Sequence, residues 1–378
     1  MRVRDILVEH KQGYYKPGKF ENGNVHFIRI SDLTDNAFLD ETTTPMIDIE
    51  PEVISAFSIK KNDFLFARTG GAGRFCLIKE NLNGIFASYL IRFRFNNNYN
   101  SHFLRYFFLS DSFQFELKSK IHGGVNQNVH AENLKDCSVP NIPLLEQQRI
   151  VAILDKAFEA IDKAKANAEQ NLKNAKELFE SYLQSAFNPS TRSGQEGEIW
   201  EEKTLPDISV NLDSKRIPIT KNVRSKGMIP YYGASGIVDY VAEYIFDEDL
   251  LCVSEDGANL LARTYPIAFS ISGKTWVNNH AHILRFNNMV TQKFVELFLN
   301  SIKLDDFVSG MAQPKLNQAM LNSIPIPYPP LPEQKAIVQK LDALSKETKR
   351  LEEIYQKKID DLDELKKSIL NKAFEGQL

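Results

Sequence analysis

A five-residue box, Pro-Leu-x-Glu-Gln, occurs twice in this chain and constrains its fold more than any other feature. One copy is Pro143–Gln147 and the other is Pro330–Gln334, which begins 187 residues later (330 − 143 = 187). The 13 residues that start with each box agree at eight positions, and the alignment continues without a gap to residues 187 and 374. Because the length is kept while the middle of the segment changes, we interpret each copy as a spacer of fixed size.

Each box marks the start of a predicted long helix. Proline is favoured at the first position of a helix and glutamate in its first turn. The apolar and small residues that follow recur in steps of three and four, the heptad spacing of a coiled coil, with one polar interruption at Asn171 and one at the equivalent Lys358. The residues predicted to pack the helix pair are Ile150, Leu154, Ile161, Leu178, Tyr182, Ile337, Leu341, Leu344, Leu351, Leu362 and Leu365.

The two seams differ in the size of their side chains. The first helix has alanines at several positions where the second has leucine or tyrosine, and small residues facing large ones favour packing of the two helices on each other. With globular segments between them, we predict an antiparallel pair within the chain. A helix of about 45 residues is roughly 65 Å long and would hold those segments well apart. The alternative is that each helix pairs with another protein.

The segments outside the helices contain strand-like runs alternating with amphipathic stretches. Examples are 25–30, 63–67 and 90–95 in the first half, and 237–245, 250–253 and 283–286 in the second. We therefore predict an α+β fold with two mixed α/β domains, two long antiparallel coiled-coil helices and a pseudo-twofold internal repeat. The predicted boundaries are 1–142 for the first domain, 143–187 for the central helix, 188–198 for a polar linker, 199–329 for the second domain and 330–378 for the C-terminal helix.

Composition narrows the class of protein. Hydrophobic residues make up 43% of the chain, the net charge is −3, and no segment is strongly basic, so any contact with DNA must come from local clusters or from another subunit. No apolar run approaches 18 residues and the start lacks a signal-peptide core. The three cysteines are far apart and form no CxxC pair, which favours buried thiols in a reducing cytoplasm.

Several sequence patterns of enzymes and metal sites are present only in part. Gly273–Thr275 resembles the end of a phosphate-binding loop but lacks its earlier glycine, and Gly70–Gly73 lacks dinucleotide-binding spacing, so we predict a turn there. Asn188–Ser190 matches an adenine-methyltransferase box only loosely, and His280 and His282 have no third ligand nearby. We therefore expect no catalytic residues, no metal and no cofactor in this chain, which favours a binding function.

The two boxes at matched spacing, each heading a long helix after a mixed α/β segment, resemble the specificity subunit of type I restriction-modification enzymes. The resemblance covers essentially the whole chain. Gly23–Leu33 and Asp63–Gly70 look like parts of a first target-recognition domain, and Gly227–Val241 and Trp276–Leu284 look like parts of a second. Leu145 departs from the second copy of the box, which has Pro332 at that place.

The resemblance implies a function without chemistry in this chain. Each target-recognition domain would read one half of a split, asymmetric sequence in double-stranded DNA, and the helix pair would set the unread spacer. The subunit would recruit two modification subunits, which methylate adenine with S-adenosylmethionine, and through them restriction motor subunits. Because a methyltransferase must take its adenine out of the stacked duplex, that step and the cofactor would belong to the partner.

Readout of DNA sequence requires side chains that reach base edges, so we select polar and basic residues in loops between predicted strands. In the first half these are Arg29, Ser31, Arg68, Thr69, Arg74, Asn126 and Gln127. In the second half they are Lys221, Arg224, Lys226, Tyr231, Tyr232, Ser235, Asn278, Asn279, Gln313 and Lys315. The run 215–226 has five cations and no acid, which predicts phosphate contacts. For each residue the alternative is an ordinary solvated side chain.

Two other function classes stay open on sequence alone. The helices could belong to a coiled-coil scaffold that assembles partners without reading DNA, or the chain could be an enzyme of unrecognised class. A bipartite methylation motif would favour the specificity subunit, a soluble complex without a motif would favour the scaffold, and activity on a small molecule would favour the enzyme.

Overall fold

The computed structural model describes residues 1–16, 23–71, 73–121, 128–187, 200–310 and 313–377. Its helices are α1 (Val3–Ile6), α2 (Pro51–Phe57), α3 (Ser101–Leu109), α4 (Asp111–Ser119), α5 (Ala131–Lys135), α6 (Leu144–Ala186), α7 (Leu205–Ile208), α8 (Asn259–Ala262), α9 (Met289–Ser301), α10 (Gln318–Asn322) and α11 (Leu331–Phe374). Its strands are β1 (Leu7–Gln12), β2 (Val25–Ile28), β3 (Met46–Ile47), β4 (Phe64–Ala67), β5 (Phe75–Leu77), β6 (Gly84–Phe86), β7 (Leu90–Phe95), β8 (Glu201–Lys203), β9 (Ser209–Asn211), β10 (Lys226–Gly233), β11 (Gly236–Val241), β12 (Phe246–Asp247), β13 (Leu250–Ser254), β14 (Ala268–Ile271), β15 (Lys274–Val277), β16 (Ala281–Phe286) and β17 (Ile326–Tyr328).

The chain forms two compact units, and the division between them falls inside both long helices. Unit 1 comprises residues 1–168 and 357–378, and unit 2 comprises residues 169–356. Each unit mixes helices and sheets and includes part of α6 and part of α11, so the predicted α+β class with two long helices is confirmed. The five segments drawn from the sequence stay a prediction, because this division follows spatial contacts.

Unit 1 is built on a four-stranded sheet with the order β1-β7-β4-β5, beside a three-stranded sheet with the order β3-β2-β6. Strand β4 is buried on both faces. Phe64 and Phe66 point toward α3 and meet Phe108 edge to face at 5.4 Å, while Leu65 and Ala67 pack into a second cluster on the other face. The run Phe-Leu-Phe-Ala is therefore uniformly apolar because it has no solvent-facing side.

Unit 2 has a sheet with the order β14-β13-β16-β9, a second with the order β11-β10-β15-β12, and the pair β17-β8. Strand β13 is again buried on both faces, with Leu251 and Val253 in one apolar cluster and Leu250 and Cys252 in another. Helix α9 contributes Phe294 and neighbouring residues to the first of these clusters. The core of unit 2 thus repeats the pattern of unit 1.

Strand register makes this internal repeat explicit. In unit 1, Phe64 lies opposite Phe93, and in unit 2 Leu251 lies opposite Leu284, so β4 and β7 correspond to β13 and β16. The edge strands correspond too, since β1 pairs with β7 and β9 pairs with β16, both antiparallel. This register relates residues of β1, β4 and β7 to residues of β9, β13 and β16.

The box that begins each long helix is fixed to its own unit by its glutamine. Gln147 is almost fully buried, accepts a hydrogen bond from the Asn100 backbone N–H at 2.8 Å and donates to the Ile142 carbonyl oxygen at 3.0 Å. Gln334 is also buried, accepts from the Thr291 hydroxyl at 2.8 Å and donates to the carbonyl oxygen that precedes the box. The box therefore joins the start of α6 or α11 to the N-terminal end of α3 or α9.

Within unit 1 the two long helices run in opposite directions. The Lys165 ammonium lies 2.7 Å from the Asp363 carboxylate, and the Lys366 ammonium lies 2.6 Å from the Asp162 carboxylate. The later residue of α6 thus pairs with the earlier residue of α11, as in an antiparallel pair. Within unit 2 the Lys340 ammonium lies 4.7 Å from the centre of the Tyr182 ring, so the end of α6 lies beside the start of α11. The antiparallel pairing is internal to the chain.

Two positions of the predicted seam are corrected. Leu178 is 64% exposed and Leu365 is 46% exposed, whereas Phe179 is half-buried and Ile359 is buried. In α6 the buried residues Leu154, Ile161, Ala168 and Ala175 keep the heptad, but the next step is four residues, to Phe179, and not three. In α11 the buried residues Thr348, Ile359 and Leu370 recur every 11 residues, which departs from the heptad that placed Leu365. Of the other predicted seam residues, Ile150, Leu154, Ile161, Ile337 and Leu341 are buried, and Tyr182, Leu344, Leu351 and Leu362 are half-buried.

The three cysteines are free and buried, as predicted. Burial raises the pKa of the Cys76 and Cys137 thiols to about 12 and raises that of Cys252 as well, so all three stay protonated near neutral pH. Among the helices of the described ranges, none combines the length and apolar character needed to cross a membrane.

Candidate nucleic-acid interface

The predicted residues of unit 1 begin with a turn between β2 and β3. Arg29 donates from its guanidinium to the Asp32 carboxylate at 2.8 Å and to the Thr43 carbonyl oxygen at 2.9 Å, and Ser31 donates to Asp32 at 3.0 Å. Asp32 is fully buried, while Ser31 is exposed. The main role of the Arg29 guanidinium is therefore to hold this turn, with its outer edge left on the surface.

Arg68, Thr69 and Arg74 flank a tight turn that joins β4 to β5. Gly70 and Gly73 have φ values of +69° and +92°, a region that L-residues rarely adopt, so the sequence needs glycine here. The Arg74 guanidinium donates to the Leu33 carbonyl oxygen and lies 3.9 Å from the exposed Asp35 carboxylate. The glycine-rich run is a turn, as predicted, and it places two arginines at the same end of the sheet.

Arg68 lies in a cleft of about 360 Å³, which we call the Arg68 cleft. Its other lining residues are His10, Lys11, Gln12, Ile91, His130 and Ala131. None of the described residues that line it is acidic. The sequence analysis did not select the two histidines or the glutamine, although the alternation along β1 could have placed His10 and Gln12 on one face. Asn126 and Gln127, which were selected, lie outside the described residues.

In unit 2, one group of predicted residues lies where several loops meet, and we call it the unit 2 loop edge. These residues are Ser235, Asn278, Asn279, Gln313 and Lys315. Backbone bonds join the loops: Asn278 N–H donates to the Tyr232 carbonyl oxygen at 3.0 Å, Glu255 N–H to that of His280 at 2.9 Å, and Gly257 N–H to that of Pro314 at 3.0 Å. All but Asn278 are exposed, so four polar side chains share this edge.

A second group, Lys221, Arg224 and Lys226, lies at the start of β10 or just before it, and Tyr231 of the same strand contacts Arg224. That strand has eight residues, which span about 23 Å at 3.3 Å per residue. Lys221 and Lys226 are exposed. Arg224 is not free, because its guanidinium lies 2.9 Å from the Asp239 carboxylate and over the Tyr231 ring. The predicted residues of unit 2 thus divide into two surfaces.

Two tyrosines that were predicted to contact DNA, Tyr231 and Tyr232, pack within the protein. Tyr231 is 1% exposed, and its hydroxyl accepts a hydrogen bond from the Ile219 backbone N–H at 3.1 Å. A side chain so placed cannot reach a ligand at the surface. Tyr232 is half-buried, its ring lies 5.9 Å from that of Phe269, and burial raises the pKa of its hydroxyl. The sequence analysis selected both tyrosines as loop residues, whereas both lie within strand β10.

A buried ion network supports the unit 2 loop edge. His282 is 1% exposed, its Nδ1 lies 2.6 Å from an Asp213 carboxylate oxygen, and its Nε2 lies 2.8 Å from the Leu316 carbonyl oxygen. Arg216 lies 2.6 Å from Glu255, and the Lys315 ammonium lies 3.2 Å from the same carboxylate. Burial alone would raise the pKa of Asp213, but its hydrogen bond and electrostatic attraction to His282 lower that pKa. The pKa of Glu255 is also lowered despite burial, by its hydrogen bond to Arg216 and by attraction to His282 and Arg216.

This network is also the one cluster of metal-ligating side chains found in the described ranges. The ligand atoms of Asp213, Glu255 and His282 lie within 4.8 Å of one another. Each is already bonded within the protein, and Arg216 and Lys315 neutralise the two carboxylates. The cluster is therefore explained by its own ion pairs, and the geometry gives no reason to place a cation there.

The basic run 215–226 separates into supporting and exposed cations. Arg216 and Arg224 have most of their side chains buried and form ion pairs, whereas Lys215, Lys221 and Lys226 are exposed. Exposed lysines are suited to phosphate contacts, and the polar side chains of the loop edge are suited to base edges. The arrangement can bind an extended anion and leaves no described group placed for covalent chemistry.

Comparison with known proteins agrees with this geometry. A family model described as the type I restriction modification DNA specificity domain matches residues 2–173 and again residues 197–360. A putative type I restriction enzyme specificity subunit of Haemophilus influenzae is 37% identical over 150 residues, which are 40% of this chain and 38% of that relative. The MjaX specificity subunit of Methanocaldococcus jannaschii, also putative, is 24% identical over an alignment that spans 100% of this chain and 92% of the relative.

Two solved structures share the fold. A chain from a type I R-M system, studied for its complex assembly and conformational transition, superposes with a TM-score of 0.78 at 17% identity, covering 100% of this chain and 97% of that one. The HsdS subunit from Thermoanaerobacter tengcongensis gives 0.62 at 18% identity, covering 100% and 96%. The family model covers most of the sequence in two copies, and the chain belongs to the family of type I restriction modification DNA specificity domains.

Proposed function

We propose that this chain is the DNA-reading subunit of a type I restriction-modification complex, and that its two globular parts each read one half of an asymmetric, bipartite site in double-stranded DNA. The observation that carries the proposal is a repeated scaffold with different polar residues on it. Equivalent strands β4 and β13 lead into the turn that carries Thr69 and Arg74 in unit 1 and into the loop that carries Glu255 in unit 2. The same frame therefore presents two different surfaces, as two unlike half-sites require.

The proposal gives the long helices two tasks. They set the number of unread base pairs between the half-sites, and they dock two modification subunits, which carry S-adenosylmethionine and methylate adenine. Through these subunits the complex recruits its restriction motor subunits. Its relatives are named specificity subunits, which agrees with a chain that does no chemistry itself.

Within unit 1 we assign DNA contacts to Arg68, Thr69 and Arg74, with Ser31 and the outer edge of Arg29 on the adjacent turn. Within unit 2 we assign base readout to the loop edge, with Tyr232 behind it, and phosphate contacts to Lys221 and Lys226. Arg224 supports that surface through Asp239. Tyr231 is left out of the contact set because it is buried. Asn126 and Gln127 remain candidates on sequence grounds alone.

Co-expression with the modification subunit tests the proposal. We expect adenine methylation at one bipartite motif across the host genome, measured by long-read methylation sequencing. Exchange of residues 1–142 for another such domain should alter one half of that motif and leave the other half intact. A soluble complex that produces no methylated motif would refute the DNA-reading function. It would favour the coiled-coil scaffold instead, an alternative that the family match does not favour.

A further inference from the structure

The Arg68 cleft brings together polar and basic side chains of which the sequence analysis selected only Arg68. His10 and Gln12 lie two residues apart on edge strand β1, so their side chains share one face of the sheet. Ile91 lies opposite Gln12 in the register, and the Val129 N–H donates to the Arg68 carbonyl oxygen at 2.8 Å. This last bond places the start of α5, with His130, beside Arg68.

The charge in the cleft comes from Arg68. Lys11 also lines it, but its ammonium lies 2.7 Å from the Ala56 carbonyl oxygen and over the Phe57 ring, away from the cleft. The nearest acid along α5, Glu132, is bonded to Lys135 at 2.7 Å. Within the described parts of the chain, the Arg68 guanidinium has no ion pair or hydrogen bond. A guanidinium in a cleft without carboxylates is suited to a phosphate oxygen.

In unit 2 the place equivalent to the Arg68 cleft is occupied by side chains of the protein itself. When the strand register is continued one or two residues past β4, β9 and β13, Gln12, Ile91 and Arg68 are equivalent to Asp213, His282 and Glu255. The continuation is supported by matching bonds, since the Arg68 N–H donates to the Tyr89 carbonyl oxygen and the Glu255 N–H to that of His280. The Leu316 N–H donates to the Glu255 carbonyl oxygen at 2.8 Å, as the Val129 N–H does to that of Arg68. Unit 2 therefore has a histidine between two acids, closed by Arg216 and Lys315. Unit 1 replaces both acids with an amide and a guanidinium and leaves the place open.

We propose that the Arg68 cleft binds one phosphate of the DNA backbone, with the Arg68 guanidinium as its main donor and His10, Gln12 and His130 as further donors. The equivalent place in unit 2 binds no anion, because Asp213 and Glu255 occupy it. This inference rests on the proposed DNA-reading function and adds an asymmetry to it. A phosphate contact positions the protein on the duplex and carries no sequence information.

The test compares the parent complex with Arg68→Gln, using the chain with its modification subunits and duplexes of cognate and scrambled sequence. Loss of one phosphate contact lowers the slope of log affinity against log salt by about 0.9, which corresponds to about eightfold weaker binding at 0.1 M salt. The loss should be the same for both duplexes, and the methylated motif should not change. A changed half-motif would overturn the phosphate assignment in favour of base readout.

Lys60→Gln is the matched control. It removes the same charge from an exposed residue in the turn before β4, whereas Arg68 follows the other end of that strand. We expect its affinity and salt slope to stay within twofold of the parent. An equal loss in both variants would mean that general surface charge, and not the cleft, is responsible. A parent complex that binds cognate and scrambled duplexes equally would refute the proposed function. A parent complex that prefers the cognate duplex, with an Arg68→Gln variant of unchanged affinity and salt slope, would refute only the phosphate contact in the cleft.

Two further measurements test the same proposal if the Arg68→Gln chain does not assemble with the modification subunits. Gln12→Glu changes an exposed residue on an edge strand and places an acid in the cleft, so it should also weaken both duplexes equally. Sodium phosphate, compared with sodium chloride at equal ionic strength, tests free anions. Protection of the parent chain from thermal unfolding by phosphate, together with unchanged DNA binding by Gln12→Glu, would assign the cleft to a free anion and overturn the backbone contact.

Discussion

A single carboxylate, Asp63, pairs with two arginines of strand β7 inside unit 1. Asp63 is 2% exposed, and its oxygens lie 2.7 Å and 3.1 Å from the guanidinium of Arg94 and 3.9 Å from that of Arg92. Glu9 on β1 accepts from both arginines, and their charges hold the pKa of its carboxyl below its ordinary value despite the cost of burial. These four groups join three neighbouring strands.

We expect Asp63→Ala to destabilise unit 1 by about 3–5 kcal/mol, because it leaves the buried Arg92 and the half-buried Arg94 to share the single carboxylate of Glu9, with one positive charge uncompensated. Both tryptophans, Trp200 and Trp276, belong to unit 2, so fluorescence does not report on this change. Hydrogen exchange measured by mass spectrometry does, through peptides from β4 and β7.

Glu248→Ala is the control for that substitution. Strand register makes Arg285 the equivalent of Arg94, but Arg285 is largely exposed and lies 3.5 Å from Glu248. An exposed pair of this kind contributes about 0–1 kcal/mol. Equal destabilisation of unit 1 by Asp63→Ala and of unit 2 by Glu248→Ala would show that burial is not what gives the Asp63 pairs their strength.

The same contrast explains which contact residues the sequence could predict. Arg29 and Asp32 are three residues apart, so their pairing in a turn could be read from the sequence. Arg224 looked like a free cation because its partner, Asp239, is 15 residues away. Arg216 has a near partner in Asp213, but its shorter contact is with Glu255, 39 residues away. Composition locates a basic run, but only tertiary packing decides which of its cations are left for a ligand.

Among the elements, the long helices were the most predictable, because their period and starts are local properties of the sequence. The glutamine of the box was repeated in both copies, yet its role depends on partners 47 residues away in one copy and 43 in the other. No local pattern connects such positions. The repetition itself was the available signal, and it indicated a structural residue shared by the two units.

We expect Gln147→Ala to cost about 1–3 kcal/mol, because it leaves the buried Asn100 N–H and the Ile142 carbonyl oxygen without their partner. The first turns of α6 and α3 should exchange amide hydrogens faster. Gln148→Ala is the matched control, since Gln148 is the next residue and is exposed, and surface substitutions usually change stability by less than about 0.5 kcal/mol. Protection of α3 that survives Gln147→Ala would contradict the proposed joint between the two helices.

For the whole molecule, the proposed function makes the length of α6 and α11 a measure of DNA spacing. Both helices kept their length across the repeat, and α6 and α11 have 43 and 44 residues. The paired residues Asp162–Lys366 and Lys165–Asp363 show that positions on the two helices add to a constant, 528 in both cases. Insertions after Lys165 and before Asp363, both within unit 1, would therefore lie opposite each other and keep the Asp162–Lys366 and Lys165–Asp363 pairs.

One heptad inserted at both places lengthens each helix by about 10.5 Å at 1.5 Å per residue. Since duplex DNA rises about 3.4 Å per base pair, we expect the unread spacer of the methylated motif to grow by about three base pairs while both half-sites stay the same. Long-read methylation sequencing of cells that carry the modification subunit measures this directly. Seven residues added instead to the predicted linker 188–198 should leave the spacer unchanged, because α6 ends at Ala186 and α11 begins at Leu331, so neither helix is lengthened. An unaltered spacer after the double insertion would refute the helices as the ruler, and altered half-sites would mean that the helices also orient the readers.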